Sequence, residues 1–183
     1  YAIFNSNGEP TTGCASVGIH PWDVDNNWKE RFRTIKELAK APDITAIGEC
    51  GIDRAHSGAG LELQTEVFRA HITLSEELKK PLIIHCVKAY NELIRMLKSE
   101  QFNQPVIIHG FRGKKELAQQ LLREDFYLSI GAGRQYLLDT IRVIPLDHLW
   151  LETDDREENI QDVYTDIANM LEINIETLTS IKN

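Results

Sequence analysis

Side chains that commonly bind metal ions follow several short apolar runs of this sequence. Glu49 follows one run, His85 and His109 follow two runs that each begin with proline, and Asp154 closes a fourth. Each run is typical of a buried strand, and helix-length amphipathic segments separate them. Because strands joined by helical crossovers are parallel, their C-terminal ends share one face of the sheet. We therefore expect the four side chains to converge there.

Two imidazoles and two carboxylates form a mixed nitrogen and oxygen ligand set, which suits divalent ions such as zinc or manganese, with magnesium as a further candidate. A carboxylate can bridge two cations through its two oxygens, whereas a neutral imidazole gives one nitrogen to one metal. Glu49 is the expected bridge, with His85 and His109 completing one site and Asp154 serving the second. Two ions could hold a phosphate and activate a water that Asp154 orients or deprotonates. Glu49 and Asp154 are therefore the predicted catalytic residues.

Further polar side chains fall at the same strand ends, where they could contact a substrate. Four cations follow strands: Arg54, Lys88, Arg112 and Arg134. We favour Lys88 and Arg112 for phosphate contacts, because each lies three residues past a predicted histidine ligand. His20 either contacts substrate or packs on Trp22, and both alternatives stay open. The three other histidines fall away from these strand ends and are assigned no role: His56, His71 and His148.

The hydrophobic pattern predicts the elements that position these residues. Seven strands are expected near residues 2, 17, 45, 83, 107, 128 and 150. Helices are expected over 28–40, 61–80, 90–99, 114–124, 135–143 and 159–171. This alternation predicts an α/β fold of the TIM (β/α)8 barrel type in one domain over residues 1–183. Such a barrel closes with eight strands, so we expect that the first strand is missing from the chain or that the barrel is not closed.

Composition and charge narrow the classes of function. The chain has 183 residues, of which 42% are hydrophobic and 26% charged, and its net charge is −8. This charge excludes a broad electrostatic footprint on duplex DNA or a membrane, but a metal site can still hold one phosphate locally. Without a long apolar stretch or a signal-peptide pattern, we expect a cytoplasmic protein with no obligate protein partner. Cys50 and Cys86 each follow a predicted ligand and should face the helices as small apolar residues rather than bind zinc.

Five segments, in order along the chain, resemble the TatD family of metal-dependent deoxyribonucleases. They are Ser16–Trp22, Ile47–Asp53, Pro81–His85, Ile107–Gly113 and Leu151–Asp154. The resemblance implies an amidohydrolase-like TIM barrel with two metal ions that hydrolyses phosphodiesters in DNA. It further implies that Glu49 is the bridging carboxylate, that His85 and His109 are single histidine ligands, and that Asp154, rather than the neighbouring Asp155, is the late aspartate.

The sequence departs from the family pattern at one point, because it contains no His-x-His pair. Asn5-Ser6-Asn7 has the same spacing, but amide oxygens bind transition metals more weakly than imidazoles do. We favour an absent N-terminal strand, and we then expect the second ion to bind weakly and cleavage to be poor. The predicted function is a deoxyribonuclease acting on DNA ends or single strands. The alternatives are a catalytically impaired barrel, or an amidohydrolase acting on another ester or amide.

Overall fold

The computed structural model describes residues 4–6, 14–56, 58–131, 133–154 and 157–180, with side chains from residue 14 onward. The chain divides into two compact units, Tyr1–Ile107 and Ile108–Asn183. Strands and helices alternate along both units, which confirms the predicted α/β class. The single domain over residues 1–183 stays a prediction.

The first unit contains the longest strand and the longest helix described. Its strands are β1 (Phe4–Ser6), β2 (Ala15–Val17), β3 (Ile44–Asp53) and β4 (Leu82–Val87), and its helices are α1 (Trp28–Leu38), α2 (Leu61–Leu78) and α3 (Tyr90–Ser99). A 3-10 turn, Pro21–Asp23, follows β2, and strand β5 (Val106–Ile108) crosses the boundary between the units. Strands β1 to β4 lie in chain order and pair in parallel. Because β3 continues to Asp53, Glu49 lies inside this strand instead of following it.

Close backbone contact between neighbouring strands requires glycine at two positions near Glu49. A Cβ atom on Gly18 would lie 2.8 Å from the backbone oxygen of Glu49. Gly51 has a φ of +136°, a conformation that other residues rarely adopt, and its missing side chain would meet the backbone of His85. These glycines let the segments that carry His20, Glu49 and His85 approach one another.

Helix α2 buries part of the face that its apolar pattern predicts. The pattern predicts a buried stripe of Leu63, Val67, Ala70, Leu74 and Leu78, of which Val67 and Leu74 are buried and the other three are only half-buried. The buried residues are Gln64, Val67, Phe68, His71, Ile72, Leu74 and Ser75. The polar side chains of Gln64 and His71 can be buried because they find hydrogen-bond partners in the interior. Gln64 accepts from the backbone N–H of Asp53 at 2.8 Å, so its burial carries no unsatisfied polar group.

The second unit repeats the alternation with shorter elements. It contains α4 (Lys115–Leu122), β6 (Tyr127–Ile130), α5 (Leu138–Ile141), β7 (Leu149–Leu151), α6 (Ile160–Leu171) and α7 (Ile175–Thr179). Strands β6 and β7 pair in parallel, with Leu128 opposite Leu149. The described part of the chain thus has the seven strands expected. Helix α7 was not predicted, because its five residues are too few to show a helical period.

Candidate metal centres and functional residues

In the first unit, three side chains with metal-binding atoms approach one another. His20, Glu49 and His85 each offer one ligand atom, and these atoms lie within 4.8 Å of one another. His20 lies just after β2, Glu49 lies on β3 and His85 on β4. Parallel pairing of these strands brings the three positions to one place. The structure thus brings together Glu49 and His85, as the sequence predicted, and adds His20.

His85 has a carboxylate near each of its ring nitrogens. Nε2 lies 3.0 Å from Oδ2 of Asp53, and Nδ1 lies 3.9 Å from Oε1 of Glu49. Because an ionised carboxylate only accepts, the bond to Asp53 places the hydrogen of the neutral ring on Nε2 and leaves the Nδ1 lone pair facing Glu49. Two ligand atoms that share one ion, each about 2.0–2.2 Å from it, lie at most about 4.4 Å apart. The spacing between His85 and Glu49 therefore fits a shared cation.

Asp53 is the buried carboxylate that orients His85. Its Oδ2 accepts from Nε1 of Trp22 at 2.7 Å, and its Oδ1 accepts from the backbone N–H groups of Ala55 and His56. Burial by itself would raise the pKa of Asp53, but the hydrogen bonds from Trp22, His85 and the two backbone groups lower it to about 2. Asp53 is thus ionised at neutral pH and supports His85 as carboxylates commonly support metal-bound histidines.

His20 is better suited to donate a hydrogen bond than to bind a metal. Its Nδ1 accepts from the backbone N–H of Trp22 at 3.2 Å. A neutral imidazole then carries its hydrogen on Nε2, which can donate to a phosphate or carboxylate oxygen. The role of His20 in substrate contact stays a prediction. Its ring packs edge-on against Trp22, with centroids 5.0 Å apart, as the alternative of packing on Trp22 expects.

In the second unit, a second imidazole lies between two carboxylates. His109 follows β5, and its Nδ1 lies 2.9 Å from Oε2 of Glu152 while its Nε2 lies 3.4 Å from Oδ1 of Asp154. The backbone N–H of Glu152 donates to the carbonyl of Ile130, which continues the β6–β7 pairing and positions Glu152. The shorter distance favours the hydrogen on Nδ1, toward Glu152. The Nε2 lone pair then faces Asp154, and these two atoms fit a shared cation.

Burial distinguishes these clusters from an ordinary surface ion pair. His148 also lies 3.0 Å from two carboxylates, but the side chains of Asp125 and Asp147 are 90% and 74% exposed. The side chains of Glu49 and Glu152 are only 13% exposed. Removing a carboxylate from water is costly unless a cation or hydrogen bonds compensate. The chemistry of both partly buried clusters therefore fits divalent metal ions, and His148 serves as a reference that does not.

A family model described as TatD-related DNase matches residues 4–182 of the chain. The chain belongs to this TatD family. It is 31% identical over 146 residues to an uncharacterized metal-dependent hydrolase, YabD, of Bacillus subtilis, and 32% identical over 148 residues to the 3′-5′ ssDNA/RNA exonuclease TatD of Erwinia amylovora. Each alignment covers 76% of this chain and 57% of the relative. The matched region is thus little more than half the length of these TatD relatives.

Two solved TatD structures share the fold of this chain. The TatD homologue YjjV of Escherichia coli superposes with a TM-score of 0.81 at 19% identity, covering 92% of this chain and 73% of YjjV. A TatD-family hydrolase of Entamoeba histolytica gives a TM-score of 0.79 at 18% identity, covering 98% of this chain and 81% of that protein. These similarities confirm the predicted TIM-barrel type of α/β fold.

The cations expected to contact a TatD substrate differ in their surroundings. Lys88 and Arg112 are exposed and follow β4 and β5, as predicted. Arg134 is buried, and its guanidinium pairs with Glu158 and Asp166, which makes it a structural residue rather than a phosphate ligand. Sequence could not show this pairing, because Asp166 lies 32 residues further along the chain.

Two histidines that were assigned no role lie next to the first-unit cluster. His56 stacks on Trp22, with ring centroids 4.9 Å apart and an interplanar angle of 16°. His71 is fully buried, and its Nε2 accepts from the backbone N–H of Ile19, the residue before His20. No local pattern indicates either contact, because each joins residues at least 34 positions apart in the sequence. His148 contacts two exposed carboxylates and is still assigned no role.

Two comparisons made from the sequence depend on residues outside the described ranges. Asp155 and the side chains of Asn5 and Asn7 are not described, so the comparison of Asp154 with Asp155 and the Asn5-Ser6-Asn7 alternative stay untested.

All three cysteines are free thiols, and burial raises the pKa of Cys50 and Cys86, as expected for small interior residues. Among the described helices, none combines the length and apolar character needed to cross a membrane.

Proposed function

We propose that this TatD chain hydrolyses phosphodiester bonds in DNA, at ends or in single strands, with the help of divalent metal ions. The observation that carries the proposal is the arrangement found in both units, a partly buried imidazole with a carboxylate near each ring nitrogen, of which one, Glu49 or Glu152, is itself only 13% exposed. The names of two relatives, a metal-dependent hydrolase and a ssDNA/RNA exonuclease, agree with it.

In this proposal the metal ligands are Glu49 and His85 in the first unit, and His109 and Asp154 in the second. Zinc, manganese and magnesium are the candidate ions, and bound ions would supply Lewis acidity toward the phosphate and the attacking water. The side chain of Asp154 is 40% exposed, which makes it the ligand most open to water. Asp154 therefore accepts the proton of the attacking water. The bridging role of Glu49 stays a prediction.

The substrate contacts in the proposal come from one histidine and two exposed cations. Nε2 of His20 donates to a phosphate oxygen, while Lys88 and Arg112 each contact a phosphate. With a net charge of −8, the chain cannot hold nucleic acid by broad electrostatic attraction. Affinity should consequently depend on added divalent ions more than is usual for basic nucleases.

Metal titration provides the first test. Elemental analysis after dialysis against zinc, manganese or magnesium should find less bound metal in His85→Ala and in His109→Ala than in the unchanged chain, and least in the double variant. His148→Ala is the matched control, because His148 also contacts two carboxylates but lies at the surface. Unchanged metal content in the double variant, with an intact melting curve, would show that these clusters are not the metal sites.

Hydrolysis of an end-labelled single-stranded oligonucleotide with added manganese provides the second test. We expect cleavage that is abolished by a chelator and reduced in both histidine variants but not in His148→Ala. Metal binding without any cleavage would favour a catalytically impaired barrel. Cleavage of carboxylic esters or amides in place of DNA would favour the amidohydrolase alternative.

A further inference from the structure

A large aromatic side chain lies exposed beside the first-unit cluster. Trp22 is 53% exposed, whereas Trp28 is only 8% exposed. Tryptophan is highly buried on average, so an exposed indole next to candidate ligands is unusual. The indole is also fixed in orientation, because its Nε1 donates to the buried Oδ2 of Asp53 at 2.7 Å. A fixed ring loses little conformational freedom when another ring stacks on it.

A second exposed ring extends this surface. The imidazole of His56 lies nearly parallel to the indole of Trp22, at 16° and with centroids 4.9 Å apart. Nδ1 of His56 accepts from the backbone N–H of Gly58 at 3.1 Å, which holds the imidazole in place. Trp22 and His56 therefore present a preformed stacked pair that is open to solvent.

The pair lies close to the residues that would contact a phosphate. The Trp22 ring centroid is 5.0 Å from that of His20 and 5.8 Å from that of His85. A nucleobase is separated from its own phosphate by a single sugar. A base that stacks on the pair would thus place its phosphate beside His20 and His85.

We propose that Trp22 and His56 form a stacking subsite for one unpaired nucleobase of the substrate. This inference rests on the proposed function and adds the part of the substrate that the first unit recognises. Stacking on aromatic side chains tolerates every base, because each base has a π face. A base within a duplex is already stacked on its neighbours, so the subsite selects single strands or frayed ends.

An abasic substrate isolates the contribution of the base. The probe is a short fluorescein-labelled oligothymidylate with hydrolysis-resistant phosphorothioate linkages, compared with versions in which one nucleotide at successive positions lacks its base. Fluorescence anisotropy with added manganese gives the dissociation constants. At one position, loss of the base should weaken binding to the unchanged chain by about 10-fold to 100-fold, the range typical of one stacked base.

The variants separate stacking from other effects of Trp22. Trp22→Ala should bind the intact and abasic probes equally, and His56→Ala should reduce the difference between them. Trp22→Phe loses the N–H bond to Asp53 but keeps an aromatic ring. Because the ring can still stack, this variant should retain most of the discrimination. Tyr136→Ala removes an aromatic ring that is 85% exposed in the second unit, and it should discriminate like the unchanged chain.

The binding results distinguish the stacking subsite from the proposed function. If the unchanged chain binds the probe but Trp22→Ala discriminates against the abasic version as strongly as before, the subsite is wrong and the proposed function still stands. If the unchanged chain binds neither probe, both are wrong. If discrimination disappears in Trp22→Ala, returns in Trp22→Phe and persists in Tyr136→Ala, the subsite is supported, and the cleavage assay reports separately on the proposed function.

Discussion

Replacing Asp53 with asparagine tests whether this carboxylate prepares His85 for metal binding. Asparagine has nearly the same shape, and its oxygen can still accept from the backbone N–H groups of Ala55 and His56. Its amide nitrogen would then replace Oδ2, which accepts from Trp22 and His85 in the native chain. A donor would face two donors there, and one of them has to change.

The imidazole is the partner that can change. If its hydrogen moves to Nδ1, Nε2 of His85 can accept from the new amide, but the nitrogen facing Glu49 is then protonated and cannot bind a metal. Losing such a supporting carboxylate typically weakens metal affinity by about 10-fold to 100-fold, or about 1.4–2.8 kcal/mol. The unsatisfied indole N–H of Trp22 should lower the free energy of unfolding by about 1–3 kcal/mol as well.

Competition with a chromophoric chelator at neutral pH measures the zinc affinity of each variant. Asp25→Asn is the matched control, because Asp25 is an exposed carboxylate of the same unit that accepts from a backbone N–H group. Glu152→Gln should weaken the second-unit cluster in the same manner, through His109. Wild-type zinc affinity in Asp53→Asn, with the chain still folded, would refute the assignment of the His85 hydrogen to Nε2.

Three further predictions concern Asp154, His71 and Arg134. Asp154→Asn should slow oligonucleotide cleavage about 100-fold, equivalent to about 3 kcal/mol in the barrier, without changing the melting temperature, whereas the exposed Asp139→Asn should cleave normally. Burial lowers the pKa of His71 from 6.5 to about 4. As the pH falls, the unfolded chain therefore takes up this proton before the folded chain does. The free energy of unfolding should then fall by up to about 3 kcal/mol as pH drops from 6.5 to 4. His71→Gln, which preserves hydrogen bonding to Ile19, should remove that part of the pH dependence in urea titrations, and parallel curves would contradict the prediction. Arg134→Gln should lower the free energy of unfolding by about 1–3 kcal/mol while leaving oligonucleotide affinity unchanged, which distinguishes a structural arginine from a phosphate ligand.

The sequence alone determined the order of elements and the residues that carry the strongest chemistry. Apolar runs with β-branched residues form strands because they are buried on both faces, and the helices between them show their own period. Since parallel strands carry their C-terminal ends to one face, Glu49 and His85 were predicted to meet, and they do. His109 and Asp154 were likewise predicted to lie close together. These inferences needed only local pattern and chain direction.

Only the tertiary structure decided which atoms face each imidazole. Asp53 and Glu152 contact ring nitrogens because of strand register and side-chain direction, including the shift in register along β3, and no local pattern encodes these. The stacking of His56 on Trp22 depends on the paths of the segments that follow β2 and β3, since the two residues lie 34 positions apart in sequence. The burial of Arg134 depends on carboxylates brought to it by later parts of the chain. A sequence therefore indicates ligands at strand ends, whereas the groups that orient them are set by contacts between residues distant along the chain.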